Sequence, residues 1–285
     1  MSEAARAANS DANDAKTGVL GFLSRGWKSA TTRRRVLGVV IFLVIAEVLS
    51  RTGVLDPRFI PPASVVIIEA FRLCTQAEFL SQIWATIEAW LVGLTLSVVV
   101  GAAAGYVLGS SKFLYRSTRA LFDVIRPVPS VALVPFGILL FQQGFELKLV
   151  LIVYTAAWPV LYNVVTAVQQ VDWTQRETAM VFGIKRYRRF FQVVVPSTLP
   201  NLATGIRIAS PIALILAISV GMLGGATKGL GVWILDVSSG TIQTNLVFAG
   251  TLIVGLLGAL SNVVLAAAER RILPWHPAYR PKGAK

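Results

Sequence analysis

This chain encodes an all-α polytopic membrane protein with about six transmembrane helices. Of its 285 residues, 55% are hydrophobic and 14% are charged, whereas a soluble domain carries about 25% charge. The apolar residues gather into long runs, and runs of about 20 residues cross a hydrocarbon core as helices. The 27 Lys and Arg lie mostly between those runs, as the basic bias of cytoplasmic loops requires. The net charge of +13 therefore does not call for nucleic acid.

Six apolar segments stand out, at residues 34–53, 82–109, 121–141, 147–168, 201–223 and 246–268. In the first, Arg33-Arg34-Arg35 ahead of Val36–Leu49 looks like a signal peptide. More than thirty residues precede the apolar run, however, and Ala46-Glu47-Val48 is a poor cleavage site. An uncleaved span is expected. With the N-terminus inside, twenty Lys and Arg fall on the inner side; Arg51, Arg58, Arg72, Lys148 and Lys228 fall on the outer side. Both termini and the 169–200 loop are accordingly expected in the cytoplasm.

Residues 1–33 read as a disordered cytoplasmic tail, too poor in apolar residues to build a core. Within it, Phe22, Leu23 and Trp27 beside Arg25 and Lys28 suit a short interfacial helix. Residues 34–79 comprise the first span, breaks at Pro57 and Pro61-Pro62, and a surface helix over Ala63–Leu73. Residues 80–268 form the main membrane domain, and 269–285 a second cytoplasmic tail.

In the second span, Ala85, Ala89, Gly93, Ser97, Gly101, Gly105 and Gly109 recur every four residues. Small residues let helix backbones approach closely in lipid. A four-residue row drifts around a 3.6-residue helix, so it marks an inclined ridge for a crossing partner, either another span or a second copy of the chain. The third span carries Asp123, Arg126, Pro127, Pro129 and Pro135. Prolines bend or unwind a helix, and broken helix survives in a membrane only where protein or a watery path satisfies its backbone. A gate or pathway is one reading of Arg126, Pro127 and Pro129, and a helix that starts at Pro127 or Pro129 is the other. Asp123 and Arg126, three apart, can pair on one face, or Arg126 can snorkel to the interface.

Glu47, Glu88 and Arg207 lie within about two turns of a span boundary and read as interfacial, which leaves no buried carboxylate chain for proton coupling. Residues Gly221 to Gly231 hold five glycines and read as a pliable, irregular segment. No Gly-Lys-Ser/Thr occurs, so the chain has no phosphate-binding loop of that kind. Metalloprotease, Cys/His metal and Gly-x-Ser-x-Gly patterns are missing, so no catalytic or metal residue is assigned. His276 sits between prolines as a solvated tail residue, and Cys74 has no partner in sequence.

The 169–200 connector is far longer than the few residues a turn back into the membrane needs. Asp172 or Thr174 can cap a helix there, with Glu177 near its first turn. Gly183 ends that helix, and Pro196 and Pro200 close the segment. Lys185 to Gln192 carries four basic residues with Tyr187, Phe190 and Phe191 between them. Basic residues facing lipid headgroups are one reading, a docking knob for a cytoplasmic partner the other.

Glu177, Ala179, Gly183, Val193, Val195 and Pro196 match a spacing that resembles the cytoplasmic loop of permease subunits in binding-protein-dependent ABC importers. The resemblance covers roughly residues 57 to 277. It is most similar to nitrate/sulfonate/taurine-type permeases through Phe59-Ile60-Pro61-Pro62, Ile125-Arg126-Pro127-Val128-Pro129, Gly205-Ile206-Arg207-Ile208-Ala209, Lys228-Gly229-Leu230-Gly231, Leu246-Val247-Phe248-Ala249-Gly250 and Glu269-Arg270-Arg271. Thr178 stands where the family usually has Ala, and Gly221 where it usually has an acid, ahead of Met222-Leu223-Gly224.

The resemblance implies a type I importer permease fold and a non-catalytic subunit of a bacterial cell membrane. It implies that Glu177, Thr178, Ala179, Gly183, Lys185, Arg186 and Pro196 couple to an ATPase dimer, which binds ATP and Mg. Arg126, Pro127, Pro129, Gly221, Met222 and Leu223 would line a pathway or gate. A second permease copy and an external substrate-binding protein would complete the importer. The implied cargo is a small organic anion of the sulfonate or taurine kind. A self-sufficient secondary transporter or channel is the rival reading, although such proteins show internal repeats and buried charge pairs.

Overall fold

A computed structural model describes residues 30–54, 56, 58–239 and 243–273. The expected interfacial helix at 22–28, Pro57 and His276 lie outside the described residues. The chain divides into two compact units, residues 1–68 and 69–285.

In the first unit, α1 (Ala30–Arg51) covers the first apolar segment. Each 18-residue window of α1 contains four charged residues, so it falls outside the set of helices apolar enough to cross a membrane. Glu47 is engaged: Arg51 pairs with it at 2.6 Å, and it accepts from Ser64 N at 3.0 Å and Ser64 Oγ at 2.8 Å. Ser64 is in the first turn of α2 (Ala63–Leu73), where unpaired N–H groups favour a carboxylate.

The second unit holds α3 (Ala77–Ser110), α4 (Lys112–Ile125), a 3₁₀ turn (Ser130–Leu133), α5 (Val134–Phe141), α6 (Phe145–Gln170), α7 (Trp173–Val181) and α8 (Arg186–Arg189). A π turn (Phe190–Val194), α9 (Val195–Met222), α10 (Leu230–Ser239) and α11 (Thr244–Ile272) follow. Among the described residues, α3, α6, the continuous stretch Arg186–Met222 and α11 are long and apolar enough to span a membrane. The pair Lys112–Ile125 and Ser130–Phe141, bent by 75°, makes a fifth if taken as one span. The other segment of the expected six is α1.

Helices α3, α6 and α9 form the core. The small-residue row of α3 lies on α6 of the same chain, which settles its partner. A Cβ on Gly93 would lie 2.6 Å from Ile152 Cγ2; on Gly101, 2.7 Å from Ala157 O; on Gly105, 2.8 Å from Val164 Cβ; on Gly109, 2.8 Å from Val168 Cβ. Ser97 Oγ turns back on Gly93 O at 2.7 Å, so its polar atom costs nothing in the interface. Branched residues on α6 enter the notches left on α3, and the equal four-residue steps keep both rows in register. Helix α9 packs on both: Ala209, Ala213 and Ala217 are fully or nearly fully buried, a Cβ on Gly205 would lie 3.0 Å from Val160 Cα of α6, and Trp90 Nε1 of α3 donates to Ser210 O at 3.1 Å.

The third span begins earlier than residue 121. Ser111 Oγ accepts from Leu114 N at 3.3 Å and caps α4, so Lys112, Arg116 and Arg119, three of the twenty cations assigned to the inner side, lie on a helix. At the Pro127–Pro129 break, Tyr154 Oη of α6 donates to Ile125 O at 2.9 Å. Ile125 O also accepts from Val128 N at 3.2 Å, so the hydroxyl fills the carbonyl's second lone pair, in place of the N–H that Pro129 lacks.

The fifth span also starts early. Pro196 is near the first turn of α9, where a missing N–H costs least, and Pro200 lies inside the helix. Neither closes the loop. The π turn before Pro196 lets Val195 N reach back to Phe190 O, which re-phases the helix ahead of the proline.

The glycine segment is fastened, not pliable. Gly229, at φ +130°, donates its N–H to Gln82 Oε1 at 2.7 Å, and Leu230 N donates to Thr86 Oγ1 at 2.8 Å. Two side chains of α3 thus cap α10. Lys148, counted among outer-loop cations from sequence, is 2% exposed on α6 and donates to Lys228 O.

Candidate functional site

The connector between α6 and α9 is built from two short helices with different surfaces. Asp172 Oδ1 accepts from Thr174 N at 2.9 Å and caps α7. With the helix starting at Trp173, Glu177 falls in the second turn, past the expected first-turn position. Thr178 Oγ1 donates to Thr174 O at 2.8 Å, so the hydroxyl that departs from the family's alanine is absorbed by its own helix. At the C-terminus, Gly183 takes φ +70°, Gly183 N reaches Met180 O at 2.9 Å and Ile184 N reaches Ala179 O at 3.0 Å. This left-handed cap closes the last carbonyls and reverses the chain.

The result is a knob. Ala179 is 5% exposed and faces inward, whereas Val181 is 86% exposed and Phe182 78% exposed at the tip. Ser197 Oγ of α9 donates to Val193 O at 2.7 Å and lies 3.4 Å from Gln175 Oε1, so α7 sits against the start of α9. After the cap, Lys185 leads into α8, whose Arg186 and Arg188 are exposed and whose Arg189 is half-buried. Phe190 anchors this arm on α3, its ring 5.3 Å from Tyr106 in an edge-on contact. Tyr106 Oη in turn shares a 2.7 Å hydrogen bond with Thr198 Oγ1 of α9. The tip is apolar and exposed, and its base is tied to two membrane helices, so a push on the tip would reach α3 and α9.

The residues expected at a gate divide. Arg126, Pro127 and Pro129 are exposed at the break. Arg126 lies over the Tyr162 ring at 5.1 Å and does not pair with Asp123, which meets Arg119 at 3.6 Å. Downstream of the break, Val134 shares a buried cluster with Leu147, Leu151 and Val220, which brings the third span to the residue preceding Gly221. Gly221 itself is buried against α10: a Cβ there would lie 3.0 Å from Val232 N. An acidic side chain at this position would have to displace the α10 backbone. Met222 and Leu223 are 43% and 50% exposed.

Sequence reading missed three groups. Tyr154 and Lys148 work through carbonyls, which leave no trace in residue pattern. Arg207 pairs with Glu269 across α9 and α11; the signal was one isolated charge near the expected end of each span.

The family described as "Binding-protein-dependent transport system inner membrane component" matches residues 97–274, and the chain belongs to it. The nitrate import permease protein NrtB of Synechocystis sp. is 30% identical over 68% of this chain and 70% of its own length. The taurine transport system permease protein TauC of Escherichia coli is 24% identical over 88% of this chain and 93% of its own. In fold, the chain is similar to one from an inward-facing MetNI methionine ABC transporter, with a TM-score of 0.57, 20% identity, and coverage of 70% of this chain and 95% of that one. The chain is thus a multi-pass membrane permease component with a type I importer fold, in agreement with the resemblance carried by its motifs.

Proposed function

We propose that this chain is the non-catalytic permease subunit of an ABC importer for a small anion of the nitrate, sulfonate or taurine kind. The observation that carries the coupling half of this reading is the knob at Ala179–Gly183: a capped helix with an apolar tip and a braced base. Two cytoplasmic ATPase subunits, binding ATP and Mg, engage the knobs of two permease copies. Glu177, Thr178, Ala179, Gly183, Lys185, Arg186 and Pro196 form or support that contact. Both termini face the cytoplasm of a bacterial cell, residues 1–33 and those after α11 are tails, and the permease domain runs from 80 to the end of α11 at Ile272, past the expected 268. An external binding protein delivers the cargo, and the 126–129 break with the Gly221–Leu223 turn switches access. The relatives named for nitrate and taurine support the choice of cargo.

Gly183→Pro tests the knob, because proline cannot adopt φ +70° and removes the N–H given to Met180 O. Together with Phe182→Asp, it is expected to lower ATPase co-purification at least tenfold while the chain stays monodisperse in detergent. ATPase recovery equal to the parent chain in both variants would sink the proposed contact.

A further inference from the structure

A cavity of about 300 Å³ lies where α3 and α6 end and α9 begins, lined by Ser110, Val168, Met180, Arg186, Arg189, Phe190 and Val194. Arg186 and Arg189 are three residues apart on α8, so both belong to one helix face. Neither is in an ion pair among the described residues, and no acidic side chain lines the cavity. The C-terminal ends of α3 and α6 each contribute roughly half a negative charge. Two guanidiniums exceed that, leaving the site positive by about one charge. Its other walls are Val168, Met180, Phe190 and Val194, all apolar. The Ser110 hydroxyl is spent on Tyr106 O at 2.7 Å, so the arginines are the donors; two guanidiniums with apolar walls at the ends of membrane-crossing helices are the chemistry of a phosphate head with its upper acyl carbons.

We infer that this cavity is a binding site for one anionic phospholipid, its phosphodiester held by Arg186 and Arg189. Basic pockets between transmembrane helices take anionic headgroups in this way, and planar guanidiniums match phosphate oxygens bidentately. Met180 belongs both to α7 and to the cavity wall, so a seated lipid would brace the arm behind the knob. Val181 and Phe182 then serve the protein contact, while Arg186 and Arg189 hold the lipid, and Arg186 supports the knob through that lipid rather than by touching the ATPase. The inference rests on the membrane setting of α3, α6 and α9, not on ATPase docking, and its test contains no ATPase.

The full chain is incubated with mixed phosphatidylglycerol and phosphatidylcholine vesicles, extracted, and its retained lipid read by native mass spectrometry. Preferential retention of phosphatidylglycerol is expected. R186A/R189A should lose about thirty-fold of that preference, given roughly a fivefold factor per arginine. R186K/R189K should keep part of it, and R188A should keep all of it, since Arg188 does not line the cavity. Met180→Glu gives a second route, placing a carboxylate beside the guanidiniums, and should also abolish the preference in a chain whose arginines are intact. Equal retention by R186A/R189A and the parent chain overturns the site, as does an equal loss in R188A. Displacement of the lipid by inorganic phosphate at matching concentration assigns the pocket to a free anion and overturns the lipid.

Discussion

Along α3, glycines recur every fourth residue, and each leaves a notch for a branched side chain of α6. Between α9 and α10, five glycines crowd into eleven residues with no period, and they serve separate ends. Gly221 and Gly231 allow two helices to touch backbone to backbone: a Cβ on Gly231 would lie 1.9 Å from Ile218 O. Gly229 supplies a left-handed turn that presents its N–H to Gln82. A periodic set of glycines thus announces one function repeated, and an aperiodic set hides several. The second region reads as flexible because its glycines have no period, although the contacts of Gly221 with Val232 and of Gly231 with Ile218 are nearer in sequence than those of the α3 row with α6.

The largest effect expected from testing this contrast is at Gly231. Gly231→Val drives a side chain into the backbone of α9, which cannot retreat as a flexible side chain would. A loss of about 3 kcal/mol or more is expected, read as failure to recover monodisperse chain or a large fall in the thermal unfolding midpoint in detergent. A pliable segment would tolerate the change, so a parent-like midpoint would restore the reading as a floppy loop. Next, Gly101→Leu is expected to cost about 1–3 kcal/mol, whereas Gly255→Leu, with nothing within 4 Å of its Cβ, should be near neutral. Equal midpoints for the two variants would mean that the α3 row is not packed as described. The smallest effect belongs to the helix break: Tyr154→Phe leaves the Ile125 carbonyl without its hydroxyl and should cost about 1 kcal/mol. An unchanged midpoint there would show that the Val128 N–H, 3.2 Å from Ile125 O, satisfies that carbonyl by itself.

Much of the architecture was legible in residue order. The α3 row, the proline break and the Asp172 cap with its Gly183 stop each depend on neighbours within about two turns, so spacing alone reveals them. Helix ends were less legible. Proline marks a boundary on average, yet Pro196 and Pro200 are inside a helix because a π turn precedes the first of them. In the site, the knob was legible and the division of its surroundings was not. Nothing in Lys185–Arg189 indicates that Arg186 and Arg189 line a cavity while Arg188 does not.

By itself, the sequence determined that this is a helical membrane permease component with an outsized connector. Hydropathy, basic bias and motif spacing are local sums, and they survive without knowledge of contacts. Only the tertiary structure decided that the glycine row belongs to α6 rather than to a second chain. The same is true of Lys148 and Gln82 securing the 228–230 turn, of Gly221 being closed to an acid by α10, and of the connector having one apolar and one cationic face. Each of those outcomes depends on which distant backbone atoms come within about 3 Å, a matter that chain order does not encode locally.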